Sequence, residues 1–341
     1  MTTTPRMPLD DRRPKSAPAI SIVMGVHNGA DHLRETVESA LRQTLRDFEL
    51  IVVDDGSTDP RVGEILRECA ARDPRVRILR QDNAGLTRAL IVGCATARGI
   101  YIARLDVGDA MLPDKLAAQK ALLDAHPEAV LATCWTEFCG SGWEPLYTVR
   151  NGPDPTEGGA PWVAEHHPDS DNADRATGPT SHPSVLMRAA AYRQVGGYRS
   201  EFYCGQDGDL WCRLAEIGPF AGVQRVLYRC RIFPEGISMR SARRQRRMKA
   251  LARGAFLARI QGGDERPFLE AAARLRPRNS EKIRAGAARR AGGYYFIGEA
   301  LRRRGDRRCR SYFKEGLRRN PLHLKIWLRL LQALAHPAPT R

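Results

Sequence analysis

The chain has 341 residues, 28% of them charged and 42% hydrophobic, with a formal net charge of +16. That is the composition of a folded protein, long enough for one large α/β domain and a smaller helical one. No run reaches 18 apolar residues, which excludes a helical membrane span; eight cysteines without a CxxC pair exclude a zinc ribbon or a dense disulfide framework and point to a reducing compartment.

The charge is unevenly placed. Residues 240–341 hold 28 Lys or Arg against 7 Asp or Glu, while residues 1–239 hold 27 against 32. The basic surplus is therefore a property of the C-terminal region, either as Arg-rich solvent faces of helices or as a neighbour of an anionic surface.

In chain order, residues 1–18 are polar and proline-bearing, without an apolar signal core, and are expected to be disordered. Ile20–Val26 reads as a first strand, closed by the turn His27-Asn28-Gly29. Leu33, Val37, Ala40, Leu41 and Leu45 are then spaced for one buried helix face. The run 50–53 is a second, buried strand, followed at once by Asp54 and Asp55. Helix 61–72, strand 76–79, helix 86–97 and strand 100–105 continue a βα pattern of doubly wound type. A helix from near Pro113 to Ala125 and a strand over 130–135 follow. Residues 140–179 have little periodicity and read as an irregular excursion or loop region, with helix near Trp162. Within it His166, His167, Asp169 and Asp171 are of metal-ligating type but lie in a loose polar segment. Strand 182–187, helices 188–195 and 206–216 and strand 223–229 complete the α/β part. From residue 241 the periodicity is helical in segments 241–260, 266–275, 281–291, 293–304, 306–319 and 321–335. The last three resemble a degenerate tetratricopeptide repeat.

Three acidic positions follow strands or open helices of one sheet: Asp54/Asp55, Asp106/Asp109 and Asp207/Asp209. Parallel sheets bind ligands beyond the carboxyl ends of their strands, and clustered carboxylates there suit a metal with a phosphorylated ligand. No GxGxxG or GxxxxGK[ST] follows the first strand, which disfavours a dinucleotide site and a P-loop.

In order, these residues resemble the inverting nucleotide-sugar glycosyltransferases of family 2. Ser21–Val26 with Asn28-Gly29 is similar to the family's opening strand and turn. Gln43-Thr44, Phe48-Glu49 and the run 51–59 are similar to its QT…FE…IVVDDGSTD signature. Asn83-x-Gly85, Ala97-x-Gly99 and Ala103-Arg104-Leu105-Asp106 match its central motifs. His182-Pro183-Ser184, Gly196-Gly197-Tyr198, the run 206–211 and Ser238 complete the series. The resemblance covers about residues 20–239 and implies a GT-A fold, a Rossmann-like mixed sheet with helices on both faces, over 19–239. A small basic all-α region over 240–341 would follow.

What the resemblance implies is a hexosyltransferase-type enzyme. It would move a sugar from a nucleotide-diphosphate donor, UDP-linked by preference, to a saccharide or lipid-linked acceptor in cell-surface polysaccharide synthesis. Asp55 would accept from the N3–H of a uracil-type base, Asp54 would support the turn or ribose, and His27 would line the base pocket. Asp106 would face the diphosphate through Mg2+ or Mn2+, with Asp109 as a second candidate ligand. Arg88 and Arg104 could pair with phosphate or be ordinary structural arginines. Asp207 would be the general base. Trp135, His182 and Gln206 would stand on the acceptor side. Three departures bear on the metal and the base: Gly108 where the family has a second acid of Asp-x-Asp-Asp, Gln206 where it has Glu, and Phe233 where it often has a histidine. They imply weaker or altered metal coordination. An inactive scaffold and a nucleotidyltransferase are the rival readings. The expected location is cytoplasmic, with the basic region offering attachment to the anionic inner face of the plasma membrane; no specific nucleic-acid partner is expected.

Overall fold

The computed structural model describes residues 17–152, 162–164, 179, 181–276 and 287–335. Residues 1–16 of the N-terminal segment expected to be disordered, the cluster His166, His167, Asp169 and Asp171, and part of helix segment 281–291 lie outside them.

Four parallel strands form the heart of the sheet. β1 (Ile20–Val26) pairs with β2 (Phe48–Asp55), β2 with β3 (Val76–Gln81), and β1 on its other side with β4 (Tyr101–Arg104). All eight residues of β2 are buried, as a β-branched run inside a parallel sheet requires. β9 (Leu186–Arg188) then runs antiparallel to β4 and pairs with β6 (Leu131–Cys139), which makes the sheet mixed. Its order is β3-β2-β1-β4-β9-β6-β10-β5, with β10 at Phe220–Arg231 and β5 at Ala110–Met111. β7 (Pro145–Val149) pairs with β6, and β8 (Trp162–Ala164) runs antiparallel to β10.

The helices of this part bury the faces expected of them. α1 (Ala30–Leu41) turns Leu33, Val37 and Ala40 inward. α2 (Pro60–Arg72) opens with Asp59 accepting from the Arg61 N–H at 3.0 Å and proline in its first turn. α3 (Leu86–Ala95) lies on the core face of β1 and β2. α4 (Lys115–Ala125), α5 (Ala189–Gln194) and α6 (Gln206–Ala215) follow. Leu210, Trp211 and Leu214 of α6 share one core with Tyr192, Met187, Leu131, Ile102, Leu90 and Val23.

Two signature residues prove to be scaffold. Gln43 accepts from the Leu116 N–H at 3.0 Å and donates to the Leu112 carbonyl at 2.7 Å, pinning the end of α1 to the start of α4. Glu49 is buried. Burial opposes its charge, but the Arg98 N–H and guanidinium, Ser21 and Arg77 together hold its pKa below the usual range.

The stretch 182–187 departs from the expected strand: His182–Ser184 is a 3-10 turn, and extension begins only at Leu186. Pro183 has no N–H, and the Ser184 N–H folds back to the Ser181 carbonyl at 3.0 Å. The irregular reading of 140–179 is corrected in part. β7 and β8 lie there, and Trp162 begins a strand, not a helix.

The chain falls into two compact units that interleave in sequence. One comprises Met1–Thr136, Arg150–Tyr228 and Arg247–Arg276; the other comprises Glu137–Val149, Arg229–Arg246 and Pro277–Arg341. Much of α7 (Ile237–Ile260) and all of α8 (Arg266–Arg274) thus belong with the α/β unit, where Met248, Ala252 and Ala272 pack on Phe202. In the second unit, α9 (Ala287–Arg303), α10 (Cys309–Arg319) and α11 (Leu324–Ala335) share a core of Ile297, Leu301, Phe313, Leu317, Ile326 and Leu330. No helix among the described residues is long and apolar enough to cross a membrane.

Candidate active site

Strand register gathers the acids. Val26 lies opposite Asp54, Asp55 opposite Gln81, and Val23 opposite Arg104, so the loops after β1, β2, β3 and β4 open at one sheet edge.

At the β1–β2 corner Asn28 acts as a clamp. Its side-chain Oδ1 accepts from the Thr58 and Asp59 N–H groups at 3.0 Å each, and its backbone N–H donates to Ser57 Oγ at 2.9 Å. Asp54 Oδ1 accepts from the Ser57 N–H at 2.9 Å, and Arg80 Nε stands 3.7 Å from Oδ2. Asp55 is buried and takes three donors: the Ala84 N–H at 2.8 Å, the Gly85 N–H at 2.8 Å and Gln81 Nε2 at 2.6 Å. About one of a carboxylate's four lone-pair sites is left. Asp55 therefore shapes the wall of this corner by holding the 81–85 turn. His27 is exposed, its Nδ1 lying 2.9 Å from the Asp55 carbonyl oxygen and 2.8 Å from Asn83 Nδ2. Asn28, Gln81 and Asn83 are the residues here to which sequence reasoning gave no role at the site.

After β4, the fully buried Arg104 donates through Nη2 to Asp106 at 2.6 Å and through Nη1 to the Val23 carbonyl at 3.1 Å. Burial works against its charge, yet Asp106 and nearby groups hold its pKa above the ordinary value. Arg104 Nε has no partner among the described residues. Asp106 keeps a third of its side chain exposed. Asp109 is placed differently. It is buried, and its carboxylate accepts from the Tyr228 hydroxyl at 2.9 Å, an oxygen that also lies 3.4 Å from the Asp106 N–H. Between them Gly108 has φ +98° and donates its N–H to Thr36 Oγ1 at 2.9 Å. That left-handed backbone favours glycine and would strain an aspartate, so the missing acid goes with the conformation of the turn. Among the described residues no three His, Cys, Asp or Glu side chains come together as a metal cage. One part-exposed carboxylate, Asp106, does fit the mode in which Mg2+ takes one or two protein carboxylates and draws its other ligands from phosphates and water.

Asp207 opens α6 behind Gly205, whose backbone is left-handed. Burial raises its pKa against hydrogen bonds from the Gly208 and Asp207 N–H groups; Asp106 raises it further and Arg104 lowers it. The three charges thus share one electrostatic neighbourhood. His182 belongs to it too. Burial and then Arg104 hold its pKa well below the usual value, so the ring is neutral near pH 7. Its Nε2 lies 2.7 Å from the Tyr198 hydroxyl, and its ring meets Trp211 edge-on. Gln206 is buried in the same turn of α6.

Two residues stay apart from this network. Arg88 is exposed on the first turn of α3, with no ion pair among the described residues. Trp135 lies under the Arg150 guanidinium, 5.1 Å from ring centre to Cζ, and its buried indole N–H has no acceptor among the described residues. Asp209 is structural, bonded to Arg213 at 2.5 Å.

A mixed α/β sheet with an acid-lined edge and a helical C-terminal region has the architecture of the GT-A glycosyltransferases. The solved structure of Staphylococcus aureus TarS residues 1–349 has the same fold, with a TM-score of 0.50 at 16% identity over 92% of this chain and 88% of that one. A family model described as glycosyl transferase family 2 matches residues 21–179. The putative glycosyltransferase EpsE of Bacillus subtilis is 32% identical over 66% of this chain and 77% of its own length. The chondroitin synthase of Escherichia coli is 29% identical over 66% of this chain and 31% of its own. The chain belongs to glycosyl transferase family 2. It spans 21 to 31% of the length of the first curated relatives that it matches.

Proposed function

We propose that the chain is an inverting transferase that moves a sugar from a UDP-linked donor to a hydroxyl of a saccharide or lipid-linked acceptor in the synthesis of a cell-surface polysaccharide. The observation that carries this reading is Asp207, a part-buried carboxylate of raised pKa in the electrostatic field of the Arg104–Asp106 pair.

The corner formed by His27, Asp54 and Asp55 takes the nucleoside, with His27 exposed for contact with the base. Asp106 faces the diphosphate, and Mg2+ or Mn2+ held by Asp106 and the donor's own phosphates would offset charge on the leaving group. Arg104 orients Asp106 through its Nη2 hydrogen bond. Asp207 takes the proton from the acceptor hydroxyl as that oxygen forms its bond to the anomeric carbon. The bond from that carbon to the diphosphate oxygen breaks on the opposite face, and the nucleoside diphosphate leaves with the electron pair. One displacement of this kind inverts the anomeric configuration. His182, neutral and fixed by Tyr198, and Gln206 shape the acceptor side; Trp135 offers an aromatic platform. The basic surplus of residues 240–341 supports attachment to an anionic membrane surface, where lipid-linked acceptors lie.

A panel of nucleotide sugars with and without divalent metal, read by release of nucleoside diphosphate and by calorimetric binding, tests the reading. Release from one donor class is expected; a panel with neither binding nor release would contradict it.

A further inference from the structure

α11 carries more apolar surface than its packing uses. Ile326, Leu330 and Ala333 enter the core shared with α9 and α10. Leu324, Trp327, Leu328, Leu331 and Leu334 remain exposed, from 46 to 80%. At 3.6 residues per turn these five fall within an arc of about 120°, and Leu322, just ahead of the helix, is 86% exposed. A contiguous apolar face of this kind marks an interaction site. The one polar atom of the Trp327 ring is already satisfied, donating to the Pro321 carbonyl at 2.8 Å. Arg310 caps the far end of the helix by donating to the Ala333 carbonyl at 2.7 Å. The face is therefore presented by an anchored helix.

Its surroundings decide what covers it. Residues 287–335 carry 13 Lys or Arg against 3 Asp or Glu. Lys325 is exposed at the flank of the apolar stripe, Arg304 and Arg307 are exposed in the turn between α9 and α10, and Lys314 and Arg318 are exposed on α10. A second copy of the chain would bring the same positive field against itself. An apolar face set in a basic field is instead complementary to a surface with acyl chains beneath anionic headgroups.

We propose that this face of α11 docks on an anionic lipid bilayer. The helix lies in the plane of the interface, its five apolar side chains enter the headgroup–acyl boundary, and the basic side chains meet the headgroups. The proposal deepens the membrane part of the reading above by placing attachment on one helix face, and it is independent of the donor chemistry.

Sedimentation of the full chain with phosphatidylcholine vesicles, with and without phosphatidylglycerol, tests it in the absence of any nucleotide sugar. Nucleoside diphosphate release in vesicle-free buffer reads the transferase separately, so the two can fail independently. Binding to the anionic vesicles is expected, falling at least about tenfold in Leu328→Glu/Leu331→Glu, which removes two of the leucines that enter the bilayer. Both positions are exposed, and an unchanged circular dichroism melt verifies that the variant folds. Fluorescence quenching by brominated lipid is expected in the wild type and reduced in Trp327→Phe. Equal binding to neutral and anionic vesicles, or unchanged binding by the double variant, would overturn the proposal. So would self-association abolished by the double variant in a chain that does not bind lipid.

Discussion

Asp207 has to be ionised to take a proton, and burial makes ionisation harder. The rate of nucleoside diphosphate release is therefore expected to rise with pH through an apparent pKa above the usual aspartate range. In Gln206→Glu a second carboxylate stands beside Asp207 in the first turn of α6, and like charge should move that acidic limb to higher pH. Paired pH–rate profiles check this; a limb that stays in place would detach it from Asp207. The linkage to stability has the opposite sense. An unfolded aspartate ionises near about 3.9, and the folded Asp207 ionises later. Between those values the native state holds more protons, so the contribution of this group to stability falls as pH rises across the window.

At the scale of elements, α3 is held to the sheet by a close approach at Gly93. A Cβ there would lie 2.5 Å from Val23 Cγ1 on β1 and 3.2 Å from Val53 Cγ2 on β2. Gly93→Ala is expected to lose about 1–3 kcal/mol despite the better helix propensity of alanine, measured as a lower urea midpoint at unchanged slope. An unchanged midpoint would mean that α3 can lift without cost. The strands β1, β2 and β4 and the helices α1 to α3 could be read from local pattern because each buries a continuous run or a clean stripe. Three short later strands could not. β5 is two residues long, and β7 and β8 arise in a polar segment because β6 and β10 offer them pairing edges. The stacked rings of Phe138 and Tyr147, centroids 4.9 Å apart, are one such cross-strand contact that composition does not reveal.

At the scale of the molecule, the acids were legible because each ends a strand or opens a helix, and their partners were not. Tyr228 reaches Asp109 across 119 residues, and the N–H groups that occupy Asp55 lie 29 and 30 residues away. Sequence position marks Asp106 and Asp109 alike. Only the fold separates them, one part-exposed on Arg104 and the other buried on Tyr228. The same holds for the unit boundary. The basic periodicity begins near residue 240, but packing on Phe202 draws residues 247–276 into the α/β unit.

The central claim is that Asp207 removes the acceptor proton during sugar transfer from a nucleotide-diphosphate donor. The measurement that tests it most directly compares the wild type with Asp207→Asn, using the donor found by the panel, for calorimetric donor affinity and for the rate of nucleoside diphosphate release. The account predicts donor affinity within about twofold of wild type and a release rate lower by about 10^2–10^4. Release at the wild-type rate by a folded Asp207→Asn protein would contradict it.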